Sequence, residues 1–113
     1  MATHIKMTPA ATPVTITAGG TPLGTTTRAI EMKEGSYPPV LYIPRADIDM
    51  TRLARTDRAS TCPHKGKASY FSVITPEGTL ENVVWSYEAP LPDMQAIAGH
   101  LAFYTDKVSV TRR

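Results

Sequence analysis

Lys67-Ala68-Ser69-Tyr70-Phe71-Ser72-Val73-Ile74 and Thr79-Leu80-Glu81-Asn82-Val83-Val84-Trp85-Ser86-Tyr87 flank Thr75-Pro76-Glu77-Gly78. A proline followed two residues later by glycine suits a tight reverse turn, and both arms are rich in β-branched and aromatic residues. Residues 67–87 therefore read as a β-hairpin. Side chains alternate across a strand, which places Val83, Trp85 and Tyr87 on one face of the second arm and Tyr70 and Phe71 on opposite faces of the first.

The same two-residue period recurs on either side. Val14 and Ile16 alternate with Thr15 and Thr17 ahead of the turn signal Ala18-Gly19-Gly20, and a return arm runs from about Leu23 to Lys33, with Ile30 and Met32 on one face. Glu34-Gly35-Ser36 ends that arm. Val40-Leu41-Tyr42-Ile43 is a strand boxed by Pro38, Pro39 and Pro44. Downstream, His100–Tyr104 and Val108–Val110 read as two further strands. Helical signals are confined to two short pieces. Asp47 is positioned to cap a turn over Ile48–Ala54, and Pro90–Ala98 forms a second, stopped by Gly99. Many short strands without βαβ alternation predict an all-β fold of two antiparallel sheets, tent-like or a partly open barrel, with one or two short helical turns.

The 113 residues, 42% apolar and 19% charged, suffice for one core. Residues 14–113 are expected to form a single β domain behind a flexible N-terminal tail, residues 1–13, which is rich in Thr, Ala and Pro. The net charge of +2, from 12 basic and 10 acidic residues, calls for no nucleic-acid or membrane partner. There is neither an apolar run long enough to span a bilayer nor the apolar core of a secretory signal in Met1–Ala11. One cysteine allows no internal disulfide and no multi-cysteine metal site, so a cytoplasmic setting and no cofactor are expected.

Cys62-Pro63-His64-Lys65-Gly66 brings a thiol, an imidazole and a cation within four residues of one another and leads directly into the hairpin. Lys65 or protonated His64 favours the thiolate, the reactive form of Cys62; the alternative is a buried structural cysteine. The Cys-x-His spacing is half of a Rieske cluster box, but the second cysteine that such a centre needs does not exist. A mononuclear site from Cys62, His64, His100 and Asp49 lacks compact spacing, so no metal is expected. Tyr70, Trp85 and Tyr87 form an aromatic wall that lines a pocket or simply fills the core. Arg45, Arg52, Arg55 and Arg58, with Lys65 and Lys67, are the chain's one basic concentration. It suits a phosphate or carboxylate, or a solvated mixed-charge surface beside Asp47, Asp49 and Asp57.

Tyr42-Ile43-Pro44, the Cys62–Tyr70 segment, Trp85–Leu91 and Ile97–Tyr104 together resemble the domain-of-unknown-function 427 family over about residues 14–110. The resemblance implies a small β-tent domain, with motif positions Tyr42, Cys62, Lys65, Gly66, Tyr70, Trp85, Tyr87 and Tyr104, and with His64 where family members commonly carry an aromatic ring. The cysteine-held zinc of other β-tent domains does not carry over to a chain whose one cysteine is Cys62. A nucleotidyltransferase label attached to the family implies nucleotide transfer. The residues themselves offer neither paired metal-binding carboxylates nor a phosphate-cradling glycine loop.

The leading expectation is a small-molecule binder whose ligand, if anionic, meets Lys65. Its site is Tyr42, Arg45, Lys65, Tyr70, Trp85 and Tyr87, floored by Cys62–Gly66. The alternatives are an enzyme working through Cys62, Lys65 or His64, and an interaction module; a homodimer stays open.

Overall fold

A computed structural model describes residues 4–112. Ten strands follow in chain order: β1 (Ile5–Pro9), β2 (Val14–Ala18), β3 (Thr21–Thr26), β4 (Ile30–Glu34), β5 (Val40–Tyr42), β6 (Leu53–Cys62), β7 (Gly66–Thr75), β8 (Gly78–Ser86), β9 (Ala102–Phe103) and β10 (Ser109–Arg112). The all-β antiparallel class holds. The strands divide among three sheets, one more than expected, ordered β1-β4-β5, β10-β2-β3 and β6-β7-β8-β9. Three short 3₁₀ segments, Arg45–Asp47, Met50–Arg52 and Pro92–Ile97, the last of them kinked at Met94, are the helical elements among the described residues.

The central hairpin is β7-β8. Its register pairs Tyr70 with Trp85, Phe71 with Val84 and Thr75 with Gly78 across the turn. Because Tyr70 and Phe71 point to opposite faces, the hairpin feeds two cores. Phe71, Val73 and Val84 pack with Val14, Ile16 and Leu23 from the β2-β3 hairpin. Tyr70 and Tyr87 instead join Met32, Tyr42 and Ile97. Each such side chain, when fully buried, contributes roughly 1.5–3 kcal/mol. Ile43 and Leu101 exchange backbone hydrogen bonds of 2.8 Å and tie β5 to the chain entering β9.

Four local expectations change. The return arm read as continuous from Leu23 to Lys33 is two strands in different sheets, broken after Thr26. The Thr26 hydroxyl accepts from Arg28 N at 2.9 Å and donates to Asp47 Oδ2 at 2.6 Å, which turns the chain out of the first sheet. Asp47 is thereby engaged and caps nothing. Asp49 caps instead, accepting from Thr51 N at 3.1 Å, and the helix expected over 48–54 shrinks to 3₁₀ turns before Leu53 enters β6. The polar stretch 55–61 lies within strand β6. This edge strand is mostly exposed and so shows no apolar alternation; it bulges between Arg55 and Ala59. Residues 5–9 of the expected tail form β1, paired with β4 from Ile5–Glu34 to Pro9–Ile30. Met1–Thr3 of that segment lie outside the described residues.

Candidate functional site

The β1-β4-β5 sheet and the end of the β7-β8 hairpin face each other across a cleft of about 250 Å³. β4 and β5 supply Met32, Glu34, Val40 and Tyr42, and the hairpin supplies Tyr70 and Trp85. Tyr87 follows β8, Tyr104 follows β9, and Tyr37 and Pro38 stand at the rim between β4 and β5. The mouth continues into a wider groove over Leu41, Phe103 and Val110.

Lys65 reaches this cleft because of the turn that carries it. Lys65 N donates to Cys62 O at 3.3 Å, and Gly66 leaves the turn at a φ of +111°, a conformation that side-chain-bearing residues rarely adopt. A Cβ on Gly66 would find the backbone of Pro90 and Leu91 at 3.4 Å, ordinary contact, so it is the backbone conformation that calls for glycine. Leu91 N in turn donates to Lys65 O at 2.9 Å, which fixes the lysine backbone from the other side. The residue is 8% exposed. Its Nζ donates to Glu34 Oε1 at 2.7 Å and weakly to Cys62 Sγ at 3.8 Å. An ammonium carries three protons, and the third has no acceptor among the described residues.

Electrostatics at the cleft follow from this pair. The hydrogen bond from Lys65 holds the Glu34 carboxyl below its usual 4.5 against the opposing effect of burial, with His4, 3.6 Å away, adding to the pull. Burial pushes the Tyr42 phenol up to about 12, opposed by the Trp85 Nε1–H that donates to it at 3.4 Å. Tyr87 and Tyr104 are raised as well, first by burial. All three phenols stay protonated at neutral pH and can donate. Trp85 and Tyr104 lie with ring centroids 4.8 Å apart, and Tyr70 OH is 2.8 Å from Ser60 Oγ beneath the Arg58 guanidinium.

The raised tyrosines set an alkaline limit on stability. Unfolded phenols ionise near 10 and the folded ones later, so stability held below pH 10 is lost as pH climbs toward 12. Denaturant midpoints measured across this range should fall above about pH 10, and Tyr42→Phe should flatten part of the decline. An unchanged pH profile in that variant would show that Tyr42 titrates as it does in the unfolded chain.

Of the residues singled out in the sequence, Tyr42, Lys65, Tyr70, Trp85 and Tyr87 meet around the cleft. Cys62 is half-buried behind Lys65, so of the Cys62–Gly66 segment only Lys65 lines the cavity. His64 is exposed and packs edge-on against His4, centroids 4.8 Å apart. Arg45 is elsewhere: it binds Gly99 O, Ser86 Oγ and Glu88. The basic concentration disperses likewise, with Arg55 on Glu88, Arg52 beside Asp49 and Arg58 over Tyr70. No group of three or more His, Cys, Asp or Glu close enough to share a metal ion occurs among the described residues. None of their helices is long and apolar enough to cross a membrane.

Glu34 is the functional candidate that sequence reading passed over as a turn residue. The signal was present: Ile30, Met32 and Glu34 share one face of β4, so a carboxylate continues an apolar phase. No curated protein matches the chain. A family model described as Domain of unknown function (DUF427) matches residues 6–113, a span that takes in both walls of the cleft and the Lys65 turn between them, and the chain belongs to that family.

Proposed function

We propose that the protein binds a small single-ring molecule carrying an acidic oxygen in the cleft between β4-β5 and the β7-β8 hairpin. The observation that carries this reading is Lys65, nine-tenths buried at the floor of an aromatic cleft, with one ammonium proton unclaimed among the described residues. A buried lysine–carboxylate pair is weak support for stability, since apolar residues of similar size do as well. Its location in a concave site of rings is better matched to recognition. Trp85 and Tyr104 offer faces for a flat ligand, and the protonated Tyr42 and Tyr87 offer donors. The volume of about 250 Å³ suits one substituted ring, below the range of drug-sized pockets. Glu34 competes with an anionic ligand for Lys65 and so limits affinity.

Trp85 is the chain's single tryptophan, so its emission reports the cleft directly. Benzoate and its neutral counterpart benzamide serve as probes. Benzoate should change the emission saturably and more tightly than benzamide, and Lys65→Met should weaken benzoate about tenfold while leaving benzamide nearly unchanged. Equal binding of benzoate by wild type and Lys65→Met would remove Lys65 from the site. Emission indifferent to both probes would remove the cleft.

A further inference from the structure

Arg45, which does not reach the cleft, sits at a second depression of about 430 Å³ that also includes Arg28, Glu88, Gly99 and His100. Ser86 and Glu88 alternate along the chain with Trp85 and Tyr87, and Arg45 takes them, so this depression is separate from the aromatic cleft. Its donors are held but not exhausted. Arg45 Nε donates to Gly99 O at 3.1 Å, and its Nη2 donates to Ser86 Oγ at 3.3 Å and Glu88 Oε2 at 2.9 Å. The Nη1 amino group has no acceptor among the described residues. Arg28 uses Nη2 alone, on the Asp47 carboxylate at 3.1 Å, which leaves Nη1 and Nε unclaimed among the same residues. His100 Nδ1 lies 3.2 Å from Ala98 O, which only accepts, so the contact is a hydrogen bond when Nδ1 bears a proton; Nε2 has no partner among the described residues and donates to an anion only when the ring is an imidazolium.

Charge points the same way. Glu88 Oε2 is shared by two guanidiniums, Arg45 at 2.9 Å and Arg55 at 2.5 Å, while Asp47 takes Arg28. Arg28, Arg45 and Arg55 thus face two carboxylates, and one positive charge is unmatched. Glu88 also lines the depression, and its Oε2 accepts hydrogen bonds from both Arg45 and Arg55.

We propose that this depression is a binding site for a small oxyanion, a phosphate or carboxylate group, received by Arg28 and Arg45, with His100 beside them adding a donor when its ring is protonated. Planar guanidinium forks fixed at one edge and open at the other are suited to such groups. The site is independent of the proposed cleft ligand.

The test is an NMR titration of the full chain with inorganic phosphate and, in parallel, acetate, with ionic strength held constant by chloride. At least one of the two anions should shift the His100 ring and the Arg45 Nε–H saturably, and the anion that saturates identifies the group. Arg28→Gln removes an exposed side chain and should weaken binding roughly five- to tenfold; Arg45→Lys keeps the charge, loses the fork and should weaken it similarly. Shifts that grow without saturating for both anions, shifts centred on Lys65, or both variants titrating as wild type would overturn the site.

Discussion

Gly24→Ala is expected to destabilise the protein by about 3 kcal/mol or more, the largest effect expected of a methyl group added at any of its glycines. A Cβ at this position would lie 2.1 Å from the backbone oxygen of Asp47 and 3.2 Å from Ile48 Cδ1. The obstacle is main chain, so no rotamer change relieves it. Gly24 and Ile48 form a lone antiparallel bridge, and Asp49 N donates to Leu23 O at 2.8 Å, so the turn at Arg45–Asp47 is seated directly on β3. Displacing it would strain the Asp47 contacts to Thr26 and Arg28 as well as the placement of Arg45. Denaturant unfolding measures the loss. A variant within 1 kcal/mol of wild type, against the roughly 3 kcal/mol expected of backbone overpacking, would mean that the turn moves away freely.

The second large effect lies at the Lys65–Glu34 pair, and it is asymmetric. Glu34→Gln should cost about 2–4 kcal/mol, because it strands an ammonium whose side chain is 10% exposed. Lys65→Met should cost less. It leaves a carboxylate that is 27% exposed, open to water and beside His4, and the methionine refills the space. The double variant Glu34→Leu/Lys65→Met should recover most of the stability, since apolar residues of similar size replace a buried pair with little loss. Thermal and denaturant unfolding of the three proteins checks the order. A double variant as unstable as Glu34→Gln would show that the pair stabilises the fold in its own right and would count against a recognition role for Lys65.

How far the chain could be read in advance depended on whether an element has a buried face and local turn chemistry. The β7-β8 hairpin has both, with Pro76 and Gly78 in the turn and Tyr70 and Phe71 facing different cores. β6 has neither. Its residues are mostly exposed at a sheet edge, so Arg55–Thr61 carry no period to betray a strand. β1 was hidden for a different reason: its partner β4 is some 20 residues away, and pairing at that distance leaves no local mark.

The candidate site was legible where the family motifs and the aromatic alternation coincided, at Tyr42, Lys65, Tyr70, Trp85 and Tyr87. Arg45 misled by adjacency. It follows Tyr42 by three residues, but the 3₁₀ turn at Arg45–Asp47 sends it to Gly99, Ser86 and Glu88 instead. Glu34 was missed because a charged residue before Gly35-Ser36 reads as a turn, although its strand phase is that of Met32. Cys62 drew attention as a nucleophile. In the fold its sulfur is the weaker acceptor for Lys65, whose main partner comes from a strand 31 residues earlier.

The claim that Lys65 receives a ligand in the cleft is tested most directly by following the Lys65 side-chain ammonium resonance by NMR while benzoate is added. A saturable shift of that resonance is expected, in step with the change in Trp85 emission and strengthened when the competing charge is removed in Glu34→Gln. An ammonium signal that stays fixed while Trp85 responds would place the ligand elsewhere on the aromatic wall and leave Lys65 as a structural partner of Glu34.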